Sequence, residues 1–294
     1  MKENIKFLLP PAQRIWLFLL VTLLCMVVAS VLVHMVTING FTPGKVRVAT
    51  ILQDIIMFIL PAVIVAMMCT RTPDRFLMVN KAPSATAALL IFATLLAAIP
   101  AMNWMVEWNR CLSLPESMGA LEQWMRSSET NAEEMTGMLF GTWSAGAFAV
   151  ALMIVSLLAG LSEELYFRGT LQRLLVTLPM GKHLAVWTTA VLFSAMHFQF
   201  FGFMPRLLLG AYFGYLVVWT GCLWLPVIAH VLNNGMTAYA MWLAHNQGTD
   251  NINTLGAEPQ QLWLTLTSVV VTALLIFLTW RTAKRVTPES NPLE

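Results

Sequence analysis

Residues 15–36 read IWLFLLVTLLCMVVASVLVHMV, a stretch without any acidic residue, lysine or arginine. A helix of about 20 apolar residues crosses the hydrocarbon layer of a bilayer, so this stretch predicts a membrane span. It is too long for the apolar core of a signal peptide, which predicts that it is retained. Further apolar runs cover residues 48–69, 84–105, 143–161 (continuing as helix toward 178), 184–200, 205–222, 226–244 and 261–280. The sequence therefore predicts an all-α fold, a polytopic membrane helix bundle with about eight transmembrane helices.

Composition leads to the same class of protein. Of the 294 residues, 58% are hydrophobic and only 11% are charged, whereas about a quarter of a soluble domain is charged. The net charge of +2 and the scattering of basic residues among the predicted loops argue against a nucleic-acid partner. The four cysteines lack the short paired spacing of zinc or redox motifs. The lipid bilayer is therefore the expected surrounding of this chain.

The predicted loops differ in charge, and this difference predicts an orientation. Lysine and arginine collect in residues 2–14, 71–81, 173–182 and 281–285, whereas acidic residues collect in 106–142 and 245–260. Basic loops stay on the cytoplasmic side of membrane proteins. We expect an integral membrane protein of a bacterial inner (plasma) membrane with both termini in the cytoplasm.

The chain divides simply along its length. Residues 1–285 are predicted to form a single integral membrane domain, with a motif-bearing core at 143–244, and 286–294 to form a disordered C-terminal tail. The outward stretch 106–142 has no run long enough to span a bilayer. Its apolar residues recur at helical spacing, which predicts an interfacial amphipathic helix.

Charged residues inside an apolar helix mark candidate functional groups, because burying charge in a bilayer is costly. Residues 162–168 read SEELYFR and continue an apolar helix without a turn signal. Glu164 and Arg168 are four positions apart and share a helix face, so they are predicted to pair. Glu163 is rotated by about 100° from Glu164 and is left without this cation, which suits a general base. Solvated charges at a helix end are the alternative from spacing alone.

Two further polar groups follow in later helices. Phe193 and His197 share a face in the fifth predicted span, so the phenyl ring is placed to shield the imidazole. His230 and Asn234 share a face near the start of the seventh, whereas Asn233 points aside. Each group alone is equally compatible with packing through hydrogen bonds. Together they place a carboxylate, two imidazoles and an amide on three helices of one core.

Other polar residues are interpreted more simply. Asp54, near the outer end of the second span, is expected to reach water, and His34, His183 and His245 are expected to be interfacial. Gly210 and Gly214 are spaced as a small-xxx-small pair, which predicts a close helix contact.

The three groups resemble the motifs of the CPBP family, the CAAX-protease and bacteriocin-processing integral membrane proteins, also called Abi. The family pattern EExxxR is similar to Glu163-Glu164-xxx-Arg168. The patterns FxxxH and HxxxN are similar to Phe193-xxx-His197 and His230-xxx-Asn234. All three occur in order within residues 143–244, and the type II CAAX prenyl endopeptidases are related to this family. The resemblance implies a membrane peptidase.

The resemblance also implies a role for each motif residue. Glu163, His197, His230 and Asn234 are the implied catalytic residues: Glu163 activates water, the histidines orient it or move protons, and Asn234 stabilises the oxyanion. Glu164, Arg168 and Phe193 are implied as supporting residues. Glu163, His197 and His230 are also able to ligate zinc, and the same groups are able to work without metal. The implied function is an intramembrane endopeptidase that hydrolyses a peptide bond in a membrane-associated peptide or protein.

Two other functions remain open from the sequence. A protein of the same family that binds or regulates a membrane-protein partner without cleaving it would carry the same helices. A proton-linked transporter would also place Glu and His within the membrane, but the chain lacks repeated broken helices in its two halves. In a bacterium, processing of a peptide or membrane protein is favoured over prenylated CAAX substrates.

Overall fold

The computed structural model describes residues 5–248 and 251–286. Nine helices of two turns or more follow one another within these residues: α1 Pro11–Thr37, α2 Pro43–Cys69, α3 Ala85–Arg110, α4 Gly119–Phe140, α5 Ala145–Val176, α6 Gly181–Ala195, α7 Phe203–Thr220, α8 Trp224–Gln247 and α9 Leu262–Val286. No named β-strand occurs in the described residues. The predicted all-α helix bundle is therefore confirmed.

The predicted count of eight spans is not confirmed. Six helices in the described residues are long and apolar enough to cross a membrane: α1, α2, α3, α5, α9 and α7 with the short turn before it. The two other predicted spans do form helices, but α6 has only 15 residues, and α8 carries polar groups such as His230, Asn233 and Asn234 among its 24 residues. The two predicted spans that are not confirmed are thus α6, which carries Phe193 and ends two residues before His197, and α8, which carries His230 and Asn234.

Within residues 106–142, Gly119–Phe140 form the helix that the apolar spacing predicts. Helix α4 lies outside the membrane-spanning set and packs against the segment that follows α6. The Trp124 and Phe200 rings lie 5.3 Å apart, and the Glu129 carboxylate accepts the Phe201 backbone N–H at 3.2 Å. Helix α4 therefore covers the end of α6 that leads to His197.

The loops that the charge pattern assigns to the same side of the membrane contact one another at the same end of the bundle. At one end of the bundle, Leu223 donates its backbone N–H to the Met78 carbonyl at 3.0 Å. At the other end, Arg47 donates to the Leu139 carbonyl at 2.9 Å, and Asn109 donates to the Phe200 carbonyl at 3.2 Å. Which end faces the cytoplasm stays a prediction. Residues 287–294, most of the tail predicted to be disordered, lie outside the described residues, and the single-domain division is likewise a prediction.

Close packing between α5 and α8 fixes the level of the motif residues. A side chain at Gly160 would lie 2.8 Å from the Val231 side chain and 3.1 Å from its backbone nitrogen. Ser156, one turn earlier, donates its hydroxyl to the Val231 carbonyl at 2.7 Å. Because Gly160 precedes Glu163 by three residues and Val231 follows His230 directly, this contact brings the two motifs together.

Candidate active site

The predicted Glu164–Arg168 pair is present in the structure. Both side chains are fully buried, and Arg168 Nη1 lies 2.7 Å from Glu164 Oε1. Arg168 Nη2 donates to the Gly210 carbonyl at 2.8 Å, across to α7. The Arg168 guanidinium also lies 4.5 Å from the centre of the Phe193 ring. The pair therefore ties α5, α6 and α7 together behind the site.

His230 joins this pair from α8, a contact that the motif spacing did not predict. Its Nδ1 lies 2.8 Å from Glu164 Oε1, and the imidazole is 5% exposed. A carboxylate facing an imidazole nitrogen accepts a hydrogen bond, so Nδ1 carries the proton and donates it. In the tautomer with a single ring proton, on Nδ1, the Nε2 atom carries a lone pair.

His197 lies beyond the end of α6 rather than inside a span, as its helix stops at Ala195. Its Nδ1 is 2.8 Å from the Phe193 carbonyl oxygen, which only accepts hydrogen bonds, so Nδ1 donates here too. The Phe193 ring lies 5.1 Å from the His197 ring, as its predicted shielding position requires. It also lies 5.7 Å from the His230 ring. One phenyl ring thus contacts both histidines.

Glu163 lies where the two histidines converge. Its Oε2 is 3.9 Å from Nε2 of His197 and 4.0 Å from Nε2 of His230. This oxygen is buried and has no hydrogen-bond partner in the described part of the chain. Polar atoms separated by more than about 3.5 Å are commonly bridged by water. Each of these two distances is therefore short enough to be bridged by a water molecule between Glu163 and a histidine.

Asn234 lies one turn beyond His230 and is fixed by two hydrogen bonds. Its Nδ2 donates to the Val155 carbonyl at 2.9 Å, and its Oδ1 accepts from Asn233 at 3.3 Å. The Val155 bond fixes the amide orientation, because the reverse orientation would place two oxygens together. Asn234 therefore retains one amide N–H beyond the bond to Val155.

The side-chain atoms of the site are of types that bind zinc, but the distances between them are longer than in a zinc site. Imidazole nitrogen and carboxylate oxygen are zinc ligands, and the two Nε2 atoms are free of protons in neutral rings. Zinc bonds of about 2.0–2.1 Å in a tetrahedron place ligand atoms about 3.3 Å apart. The Glu163–histidine distances of 3.9 and 4.0 Å are longer. Among the described residues, no group of three or more His, Cys, Asp or Glu side chains is arranged to hold a metal ion.

Asp54 does not reach water, contrary to the expectation from the sequence. Asp54 is only 4% exposed, and its Oδ2 is buried without a hydrogen-bond partner in the described residues. It begins a π-helical segment, Asp54–Ile59, which packs against Ala159–Glu164. A carboxylate within an apolar span was the signal that could have identified it.

Comparisons with known proteins bear on the same segment. The family described as "Type II CAAX prenyl endopeptidase Rce1-like" matches residues 145–236. The "Uncharacterized protein YpbD" of Bacillus subtilis (strain 168) is 28% identical over 98 residues, which cover 32% of this chain and 47% of that protein. The match thus spans about half the length of this relative. No solved structure matches the chain.

The matched residues contain all three motifs and every site residue predicted from the sequence. The resemblance predicted from the motifs is therefore confirmed, and residues 145–236 form the core by which this chain is identified as similar to the type II CAAX prenyl endopeptidases of the Rce1-like family.

Proposed function

We propose that this protein is an intramembrane endopeptidase that hydrolyses a peptide bond in a membrane-associated peptide or protein. The observation that supports this most is the approach of Nε2 of His197 and Nε2 of His230 to Glu163 Oε2, at 3.9 and 4.0 Å. A carboxylate base with an imidazole acceptor beside it is the arrangement that orients and deprotonates a water molecule. The similarity to a protease family supports the same activity.

In the proposed reaction, Glu163 takes a proton from a water molecule whose second O–H is donated to Nε2 of His197 or of His230. The water oxygen bonds to the carbonyl carbon of the scissile peptide, and Asn234 donates its remaining N–H to the oxyanion. Glu163 then gives the proton to the leaving nitrogen as the C–N bond breaks. The products are a carboxylic acid and an amine. Glu164 accepts the Nδ1 proton of His230, and Arg168 pairs with Glu164. Neither residue touches the substrate.

Zinc is a separate part of the proposal. If Glu163, His197 and His230 bind zinc, the ion would make a bound water more acidic, and the three side chains would first have to approach by about 0.6 Å to reach tetrahedral spacing. Elemental analysis of the purified protein, together with chelation and zinc re-addition, distinguishes a zinc-dependent mechanism from a metal-free one. A metal-dependent enzyme loses activity and regains it with zinc, and a metal-free enzyme does neither.

The activity is tested by comparing membrane peptides in cells that carry wild-type or Glu163→Gln protein. Glu163→Gln keeps the side-chain size and removes the base. The substrate should accumulate uncut, and cleavage in detergent should fall by about 10²–10⁴-fold. Glu134→Gln, on the exposed face of α4, is the matched control and should cleave normally. Unchanged peptide patterns and wild-type cleavage by Glu163→Gln would favour a non-proteolytic membrane regulator instead.

A further inference from the structure

A cavity of about 300 Å³ lies at one end of the bundle, between the first turn of α3, the junction of α7 with α8 and the last turns of α9. Its polar lining includes Lys81, Ser84, Cys222 and Thr282. A volume of this size is at the lower end of the range for small-molecule sites. The cavity belongs to the end of the bundle that the charge pattern predicts to face the cytoplasm, and the proposed reaction does not use it.

The loop that carries Lys81 is held in place by the chain that joins α7 to α8. Trp224 donates its indole N–H to the Val79 carbonyl at 2.8 Å, and the Cys222 thiol donates to the Lys81 carbonyl at 3.3 Å. These bonds join segments more than 140 positions apart in the chain. Contacts between the two segments therefore fix the backbone of Lys81 at the cavity wall.

The Lys81 side chain brings a buried cation to this cavity. Its Nζ atom is buried and has no hydrogen-bond partner among the residues that the structure describes. An ammonium group has three hydrogens to donate, and burying it without an acceptor is costly. This unsatisfied cation at a cavity wall is the observation that indicates an anionic ligand.

The start of α3 adds a second feature that favours an anion. Ser84 caps this helix by accepting the Ala87 N–H at 3.4 Å. The first backbone N–H groups of a helix lack acceptors within the helix, and the helix dipole attracts negative charge to this end. The same cavity therefore has a lysine ammonium and the N-terminal turn of a 26-residue helix in its wall.

We propose that this cavity binds the phosphate of an anionic phospholipid. Lys81 donates to the phosphate oxygens, and Ser84 and Thr282 bring hydroxyl groups to the same cavity. Basic pockets between membrane helices at the cytoplasmic side are typical sites for lipid head groups.

The surroundings of the cavity favour a lipid over a free phosphate ion. Helices α3 and α9 are long and apolar enough to cross a membrane, and both contribute to the cavity wall. Leu89 on α3 and Phe277 on α9 lie within two turns of the lining residues and are 70% and 48% exposed. Acyl chains would cover these apolar faces while the phosphate occupies the cavity. This inference does not depend on the proposed peptidase activity.

Lipid retention tests the proposal directly. The full-length protein in a neutral detergent is mixed with dioleoylphosphatidylglycerol or dioleoylphosphatidylcholine, and native mass spectrometry measures the bound lipid. We expect the anionic lipid to bind about fivefold more tightly than the zwitterionic one, which is the effect of one basic residue at a membrane surface. Equal retention of the two lipids would overturn the proposal. Displacement of the lipid by millimolar inorganic phosphate would show a site for the free ion and would also overturn it.

Variants then assign the preference to Lys81 and to the cavity. Lys81→Gln should remove the preference for phosphatidylglycerol, and Lys81→Arg should keep it. Lys6→Gln is the matched control, because Lys6 is an exposed lysine predicted on the same side of the membrane, and it should keep the preference. A comparable loss in Lys6→Gln would mean that diffuse surface charge attracts the lipid, and the proposal would be wrong.

A further pair of variants separates the cavity from the surface and from the active site. Ala82→Phe keeps the Lys81 cation but adds a ring at the cavity wall, so it should weaken phosphatidylglycerol binding. Unchanged binding by Ala82→Phe would place the lipid outside the cavity and contradict the proposal. Glu163→Gln should retain the lipid as the wild type does, whether or not the protein cleaves peptides. Thermal unfolding without lipid confirms that each variant is folded.

Discussion

The Glu164 carboxylate lies 2.8 Å from Nδ1 of His230, although the two residues are 66 positions apart in the chain. The same oxygen, Oε1, lies 2.7 Å from Arg168 Nη1. One buried carboxylate thus neutralises a cation and fixes the hydrogen-bonding role of an imidazole. In the proposed reaction, Glu164 is therefore a positioning residue, whereas its neighbour Glu163 is the base.

Arg168→Ala should destabilise the protein strongly. The change leaves the fully buried Glu164 carboxylate without its cation, and breaking a buried pair typically costs about 3–5 kcal/mol. Thermal unfolding in detergent measures the loss. Arg126→Ala breaks a pair with the same i,i+4 spacing and the same 2.7 Å distance on exposed α4, and should barely change unfolding. Equal effects of the two variants would mean that the Arg168 pair is not buried.

Asp54→Asn should stabilise the protein. The carboxylate is buried with an unpartnered oxygen, and a neutral amide of similar size is less costly in an apolar span. Because the amide also lacks a partner, the gain comes only from removing a buried negative charge, and we expect a higher midpoint of thermal unfolding than in the wild type. Unfolding in detergent measures it, with the exposed Asp74→Asn as control. A loss of stability would show that Asp54 has a partner in the folded protein.

Asn234→Ala should lower the cleavage rate by about 10²–10³-fold if its amide stabilises the oxyanion. The change also removes the hydrogen bond to the Val155 carbonyl, so a control must separate packing from chemistry. Ser156→Ala removes the neighbouring bond between α5 and α8, to the Val231 carbonyl, without a catalytic group. Rates and unfolding are measured for both. A comparable rate loss in both variants would contradict the oxyanion role.

A cysteine at Ser127 should react with a membrane-impermeant thiol reagent added outside intact cells, whereas a cysteine at Asn80 should react only after the membrane is opened. Both positions are exposed, in α4 and in the loop after α2. Cys25, Cys69, Cys111 and Cys222 are replaced first. The reverse labelling pattern would invert the predicted orientation, and with it the side from which a substrate approaches the site.

The sequence by itself determined which segments of this protein form helices and which residues share a helix face. Apolar runs predicted every long helix except α4, because backbone hydrogen bonding and burial in lipid depend on local composition. The helical spacing of apolar residues predicted α4. Four-residue spacing paired Glu164 with Arg168 and placed Phe193 beside His197, because residues one helical turn apart share a face. The motifs also marked the segment that resembles the type II CAAX prenyl endopeptidases.

Only the tertiary structure decided which faces meet. The contact of Gly160 with Val231 sets the level of α5 against α8, and from it follow the Glu164–His230 bond and the approach of His230 to Glu163. The burial of Asp54 depends equally on packing between α2 and α5. Helical periodicity fixes directions around one axis and carries no information about the distance or rotation between two helices. Those quantities depend on side chains distant in the chain that interlock only when the bundle forms.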